Sequence, residues 1–555
     1  MSIRVLQIGV LAAALAAALG GPPSVTAATQ TPKHSNTQTL PSGIKPDGFV
    51  WHLPPCARIE GDILIVEVPK GDPERTVEAH AHCTAEVDLS PYFEGGRGAV
   101  LSVRVRGKDV TKPDFQWNGV KCMFRYVSEE TGRLAYPGDR LPIGSFDWRT
   151  AETRVNWLNP HGLPRGGRAT IVLGLQGCSG RAEFDLSSLR IESEDLGIPR
   201  EDNGYVVRYP GIAGTAPAAP LRGCMSPGGR HTTEDDIETL HQWGATLLRY
   251  QINRNWSKLN DNQDLDEYAR WVDWRLDNIE QVLDWCAARG MKVCIDLHSP
   301  PGGKWGVREG QPLEMNMFSD DRYAAAFIDT WRRIATRFKG HPALYGYDLI
   351  NEPTQSRPLR HNYWQLQFDA ARAVREIDPD TPIVFAANHA SHADDFRYLV
   401  PIPMDNVIYQ VHCYHPHFFT HQGVAGHPPS SAERPLTWPG ADPITGERWD
   451  KDWLRRKLQP VRDFQLKYGA KIYCGEFSAT AWAEGAEKYL RDCIDLFEEY
   501  GWDWTYHAFR EAPCWDVEKI LPDGIDPADG NLREKWIDAP ADTPRKRALL
   551  DGFAR

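Results

Sequence analysis

From residue 221 onward, short apolar runs alternate with longer stretches of helical period. The apolar runs are LRGCM (221–225), ATLLRYQI (245–252), KVCIDLH (292–298), LYGYDLIN (344–351), PIVFAA (382–387), NVIYQVHCY (406–414), KIYCGEF (471–477) and WDWTYHAF (502–509). Near-continuous apolar runs of this length read as strands covered on both faces. Between and after them, residues 264–289, 321–338, 362–377, 450–468, 484–500 and 543–553 read as helices. In the third of these, Trp364, Leu366, Phe368, Ala371 and Val374 are interspersed with Arg and Asp. Eight strands alternating with helices over residues 221–555 predict a closed (β/α)8 barrel, the TIM-barrel form of the α/β class. The first strand is not followed by a glycine-rich phosphate loop, which disfavours a dinucleotide fold.

Residues 46–195 have a different rhythm. DILIVEVP (62–69), GAVLSVRVRG (98–107), VKCMFRYVS (120–128), ATIVLGLQG (169–177) and AEFDLSSLRIE (182–192) are rich in β-branched residues, and several alternate apolar with polar. Short strands separated by Gly/Pro turns predict an all-β sandwich preceding the barrel. Residues 196–220, with Pro199, Pro210, Pro217 and Pro220 among Gly and Ala, read as the linker into it. A chain of 555 residues is too long for one ordinary core, in keeping with two domains.

The N-terminus reads as a secretory signal over residues 1–27. Arg4 supplies the positive charge, Ile8 to Leu19 is an apolar run too short to span a bilayer comfortably, and Val25-Thr26-Ala27 offers a small-residue cleavage site. Residues 28–45, rich in Thr, Ser, Gln and Pro, read as a disordered leader. The expectation is a secreted protein, extracellular or periplasmic, with no membrane attachment after cleavage. The net charge of −12 argues against a nucleic-acid partner, because phosphate binding needs a basic surface. The 11 cysteines include Cys294, Cys413 and Cys474 inside predicted barrel strands, where they read as small buried hydrophobes. No Cys or His cluster has zinc-ligand spacing.

Barrel chemistry gathers where strands end. Strand two carries Arg249, strand three Asp296 and His298, and strand four Asn351 and Glu352. Strand six carries His412 and Tyr414, strand seven Glu476, and strand eight Trp504 and His507. Two strand-end glutamates suit a retaining glycosidase, which needs one carboxyl group to protonate the leaving oxygen and another to attack the anomeric carbon.

Arg, Asp-Leu-His, Asn-Glu-Pro, His-x-Tyr and Gly-Glu-Phe in this order on successive strands resemble glycoside hydrolase family 5, which contains endoglucanases and mannanases. The likeness spans residues 220–555 and excludes the sandwich, whose last strand loosely resembles jelly-roll carbohydrate-binding modules. The resemblance implies that Glu352 is the general acid/base and Glu476 the nucleophile, and that Asn351 bonds the sugar 2-hydroxyl. Arg249 and Tyr414 would support Glu476, while His298 and His412 would be subsite or supporting residues. Glu352 needs a proton at working pH and Glu476 needs to stay ionised, so their surroundings should differ in charge. No metal or organic cofactor is implied.

The chain departs from the family pattern at strand eight. Many relatives carry a tryptophan where this chain has His507, so either Trp504 takes over the stacking or the subsite is more polar. Trp305 after strand three and Trp515 after strand eight are further candidate platforms, and Phe418, Phe419 and Trp438 could wall the cleft. In the sandwich, Trp117, Tyr126, Trp148 and Trp157 are candidate sugar-stacking rings. The expected substrate is a β-linked polysaccharide or oligosaccharide, first a β-1,4-glucan cut internally, with β-mannan or another β-glucan as the alternative. Transglycosylation is a further outcome of the same chemistry. A non-catalytic carbohydrate-binding protein is the rival class, and the presence of both glutamates counts against it. A monomer is the default assembly.

Overall fold

In the computed structural model the described residues are 49–555, apart from 71–80, 114–117, 130–131, 159–161, 201, 211–219, 255–261, 304–314, 425–426, 428, 444 and 526–534. The signal and leader segments, Trp117 and Trp305 lie outside them. Among the described residues no helix is long and apolar enough to cross a membrane.

The eight apolar runs form the eight strands of a closed parallel barrel: Arg222–Met225, Leu247–Gln251, Lys292–Asp296, Leu344–Asp348, Ile383–Ala386, Val407–Cys413, Lys471–Phe477 and Asp503–Tyr506. The first and last strands close the ring, with Gly223 opposite Thr505. Side chains alternate inward and outward along a strand. On strand six, Gln410 and His412 turn into the barrel, while Tyr409 and Cys413 meet Phe464 and Tyr489 of the surrounding helices. Inside the barrel, Leu247, Cys294, Tyr345, Val384, Ile408 and Tyr473 form one apolar cluster, all at or before the midpoint of their strands. The polar residues of the site stand above this plug.

The helices begin where their capping residues dictate. Asp264 accepts from the backbone of Asp266 and Glu267 to start Leu265–Ala288, and Asp450 caps Lys451–Tyr468, which ends at Gly469 with φ 65°. Glu234–Gln242 is a helix that hydrophobic period alone does not reveal, since only Ile237 and Leu240 are apolar and buried. The local signal for it is the reciprocal capping box of Thr233 and Asp236.

The N-terminal region is a two-sheet β-sandwich, one sheet of five strands and one of four. Its inner faces interdigitate Leu101, Val103, Val105 and Phe184 with Cys83, Ile171, Leu173 and Phe124, all buried. Tyr126 and Trp157 belong to this core, and Trp148 is flanked by the guanidinium groups of Arg104 and Arg106. Tyr126 and Trp157 are therefore core rings and not open sugar platforms, whereas Trp148 is half-buried. The sandwich rests on the barrel through Arg133, which pairs with Asp442 and Glu447, and through Asn156, which donates to the carbonyl of Ser356 at 3.1 Å.

Candidate active site

Arg249 is the centre of the site. Its guanidinium is fully buried, and burial opposes its charge, but Asp296, Asp348 and Glu476 more than compensate. Nε donates to Asp348 at 2.8 Å, Nη1 to Glu476 Oε1 at 2.8 Å and Nη2 to Asn351 Oδ1 at 3.0 Å, with Asp296 3.2 Å from Nη2. The planar fork thus fixes groups from three other strands at once. Asp348 was not singled out in the sequence. Burial raises its carboxyl to about 7 although Arg249 pulls the other way, so it holds a proton for part of the neutral range.

Asn351 is oriented by two partners. Its oxygen accepts from Arg249, so its amide nitrogen faces His298 Nε2 at 3.2 Å. His298 Nε2 is then an acceptor, and Nδ1 donates to Asp296 at 2.7 Å.

Glu476 ends strand seven with both oxygens engaged. Oε1 accepts from Arg249, and Oε2 accepts from the Tyr414 hydroxyl at 2.9 Å. Burial pushes its carboxyl up, but His412, His507 and Arg249 outweigh that and hold it at about 2. Burial and the neighbouring carboxylates push Tyr414 far above the usual range, so it remains a donor. Glu352 follows strand four with φ 51°, a left-handed conformation that costs a residue with a side chain about 1–2 kcal/mol. Its side chain is 18% exposed against 6% for Glu476, which leaves it within reach of a bound molecule.

His412 bridges the two carboxylates. Its Nδ1 is 3.0 Å from Glu352 Oε1 and 3.9 Å from Glu476 Oε2. Glu352, His412 and Glu476 each place one ligand-type atom within 4.8 Å of the others, the one such group among the described residues. When Glu352 is ionised, Nδ1 carries the hydrogen of this bond and then has no lone pair for a metal. Gly475 makes room for this arrangement: an added Cβ would stand 2.1 Å from Gln410 Oε1 and 3.1 Å from His412 Nε2. Gln410 in turn donates to Asp348 at 3.1 Å. The signal for Gln410 in the sequence is its spacing, two residues before His412 on the same strand face.

The model of the family described as Cellulase (glycosyl hydrolase family 5) matches residues 212–512, more than half of the chain. The chain belongs to glycosyl hydrolase family 5. It is a glycoside hydrolase. Endoglucanase C of Acetivibrio thermocellus is 29% identical to it over 297 residues, 49% of this chain and 83% of the relative. Cellodextrinase A of Ruminococcus flavefaciens is 27% identical over 272 residues, 48% of this chain and 75% of that one. A crystal structure of a glycoside hydrolase overlays with a TM-score of 0.46 at 21% identity, covering 60% of this chain and 99% of the other.

This family 5 hydrolase departs from the expectations at strand eight. Trp504 is not a sugar platform. It lies on the outer face of the barrel, stacked on Phe553 at 5.3 Å and against Phe477, with its indole N–H on Glu498 at 2.9 Å. The alternation of side chains along the strand puts it there. His507 is the strand-eight group that reaches the site, with Nδ1 3.0 Å from the Tyr414 oxygen. Trp515 is buried behind it, ring centroids 5.3 Å apart, and backs the histidine instead of facing open space. Phe419 and Trp438 are buried against Tyr489 and do not wall a cleft, while Phe418 stays half-buried beside His427. Gln251, Asn253 and Glu511 form a polar cluster beside His507 that was assigned no role in the sequence.

Proposed function

We propose that this glycoside hydrolase cleaves β-1,4-glucan internally by double displacement, with Glu476 as nucleophile and Glu352 as acid/base. The observation that carries the reading is the approach of the two carboxylates, whose nearest oxygens lie within 4.8 Å of one another. Retaining glycosidases hold their carboxyl groups roughly 5–5.5 Å apart, and inverting ones leave about 6.5–9.5 Å for a water. The unequal surroundings fit the two roles: Glu476 is buried and held ionised by His412, His507 and Arg249, and Glu352 is more exposed.

In the first step Glu352 gives its proton to the glycosidic oxygen, the bond from that oxygen to the anomeric carbon breaks, and a Glu476 oxygen bonds to that carbon. The ionised Glu352 then keeps the Nδ1–H bond from His412. In the second step Glu352 takes a proton from water, the water oxygen attacks the anomeric carbon, and Glu476 departs as carboxylate. Asn351, with its oxygen on Arg249, is placed to donate toward the sugar hydroxyl beside the reacting carbon.

The preference for β-1,4-glucan is supported by likeness to an endoglucanase and a cellodextrinase, with β-mannan as the alternative backbone. The export pattern of residues 1–27 supports action outside the cytoplasm, and a monomer suits a polymer-cutting enzyme. The test is reducing-sugar release from carboxymethylcellulose, mixed-linkage glucan, galactomannan, glucomannan and xylan, with proton NMR of the first product anomer. Activity on a glucan with a retained anomer, lost in both Glu476→Ala and Glu352→Ala, is expected. An inverted first product, or activity surviving either substitution, overturns the mechanism.

A further inference from the structure

Tyr414 has one proton and two polar neighbours. It gives that proton to Glu476 Oε2 at 2.9 Å, and its oxygen lies 3.0 Å from His507 Nδ1. Since the phenol proton is committed, His507 Nδ1 must carry the hydrogen of the second bond. The other ring nitrogen, Nε2, lies 3.6 Å from Glu511 Oε2. That carboxylate is anchored: Gln251 Nε2 donates to the same oxygen at 2.7 Å and to the Ser226 carbonyl at 2.5 Å, and Asn253 holds the Gln251 oxygen at 2.8 Å. His507 therefore has one nitrogen fixed as a donor and the other turned to a carboxylate, the surroundings of an imidazolium.

We infer that His507 and Glu511 are a positioning pair that presents a cation to the nucleophile through the Tyr414 hydroxyl. The inference rests on Glu476 being the nucleophile, the reading given above. A cation donating to the phenol oxygen polarises the O–H toward Glu476, since hydrogen bonds in series strengthen one another in a low dielectric. The carboxyl groups around His507 are Glu511 on its own loop, Glu476 on strand seven and Glu352 after strand four, and His421 and the Trp515 ring lie beside it. Burial disfavours charge on the ring, but Glu511, Glu476 and Glu352 outweigh it and raise its pKa above 6.5. Glu476 thus has Arg249 on one oxygen and, on the other, a tyrosine backed by a histidine and its counter-ion.

Two measurements on the full chain test the pair. The first is substrate-independent: nitrogen-15 spectra of the imidazoles, with the His507 signals identified by their loss in His507→Gln. Both nitrogens are expected to be protonated at pH 6.5, with a midpoint that drops by about one pH unit in Glu511→Gln. A neutral ring at that pH, or an unmoved midpoint, overturns the pair. The second is the pH profile of kcat/KM on 2,4-dinitrophenyl β-cellobioside, whose leaving group departs without a proton, so that its acid limb belongs to the nucleophile. The limb is expected to move up by about one pH unit in both His507→Gln and Glu511→Gln, and in Tyr414→Phe. If Tyr414→Phe alone moves it, the pair is overturned and the nucleophile stands. If Glu476→Ala hydrolyses this substrate at the wild-type rate, the nucleophile reading fails, and the role of the pair fails with it. Melting curves of each variant separate these outcomes from loss of fold, and a substrate left untouched by wild type leaves the spectra to decide.

Discussion

Arg249 Nε and Asp348 Oδ2 meet at 2.8 Å inside the barrel, where both side chains are fully buried. The same guanidinium reaches Glu476, the proposed nucleophile, at 2.8 Å, so the placement of that carboxylate depends on an ion pair deeper than itself. Breaking a buried pair by removing one partner leaves an uncompensated charge. Arg249→Leu is expected to lower the unfolding free energy by about 3–5 kcal/mol, read by urea denaturation. Arg249→Lys keeps the charge but not the fork. It should unfold at an intermediate urea concentration and lose about 100-fold in kcat, the scale of removing one preorganised donor. Wild-type kcat in Arg249→Lys would show that the fork is dispensable.

The acid/base role of Glu352 predicts a dependence on the leaving group. Glu352→Ala should lose about 100-fold to 10,000-fold on the polymer, the usual range for general acid catalysis, and far less on a dinitrophenyl glycoside. Azide should restore turnover of the activated substrate and yield the glycosyl azide. Equal losses on both substrates would place Glu352 outside proton transfer.

His415 and His421 are buried, and burial together with neighbouring histidines holds both far below their ordinary pKa. In the unfolded chain they take up protons near pH 6.5, whereas in the folded chain they stay neutral to much lower pH. Their stabilising share is thus complete above about pH 6.5 and is lost as pH falls, by about 1.4 kcal/mol per pH unit per ring at most. The melting temperature of wild type should therefore drop between pH 7 and 5 more steeply than that of the His415→Gln/His421→Gln double variant. Parallel curves would remove these two rings from the acid response.

Trp504 on the outer face predicts a stability phenotype without a binding one. Trp504→Phe removes the donor to Glu498, which still holds Arg222 at 2.7 Å. A loss of about 1–3 kcal/mol is expected, with KM unchanged on whichever polymer the enzyme cuts. A raised KM with unchanged stability would return Trp504 to the substrate cleft.

The barrel was legible in the sequence because its strands are continuous apolar runs broken by amphipathic helices, and each predicted run became a strand. The sandwich was legible from its clearest strands, but His82–Asp88 and Gly144–Val155 were passed over. The first is interrupted by Thr84 and Glu86, and the second is largely polar because much of it faces outward. Residues at strand tips could be read from position and motif. Asp348 and Glu511 could not, because their roles come from what crosses the barrel to meet them, and Gln410 offered only its spacing from His412. Trp504 shows the converse: only two residues separate it from His507, yet it points away from the site, and only the direction of the side chain distinguishes the two.

The bond from Asn156 to the Ser356 carbonyl ties the sandwich to the segment four residues beyond Glu352. Arg200, just after the sandwich, lies over both Trp157 and Tyr398 and clasps the same seam. The two halves of the chain therefore share a seam beside the turn that carries Glu352. A barrel cut free at residue 196 would expose Trp157's seam and leave the turn carrying Glu352 without its brace, so trimming the chain should lower turnover on even the smallest soluble substrate. Through Asn156 the sandwich holds the segment that follows Glu352, so the two halves of the chain meet beside the site.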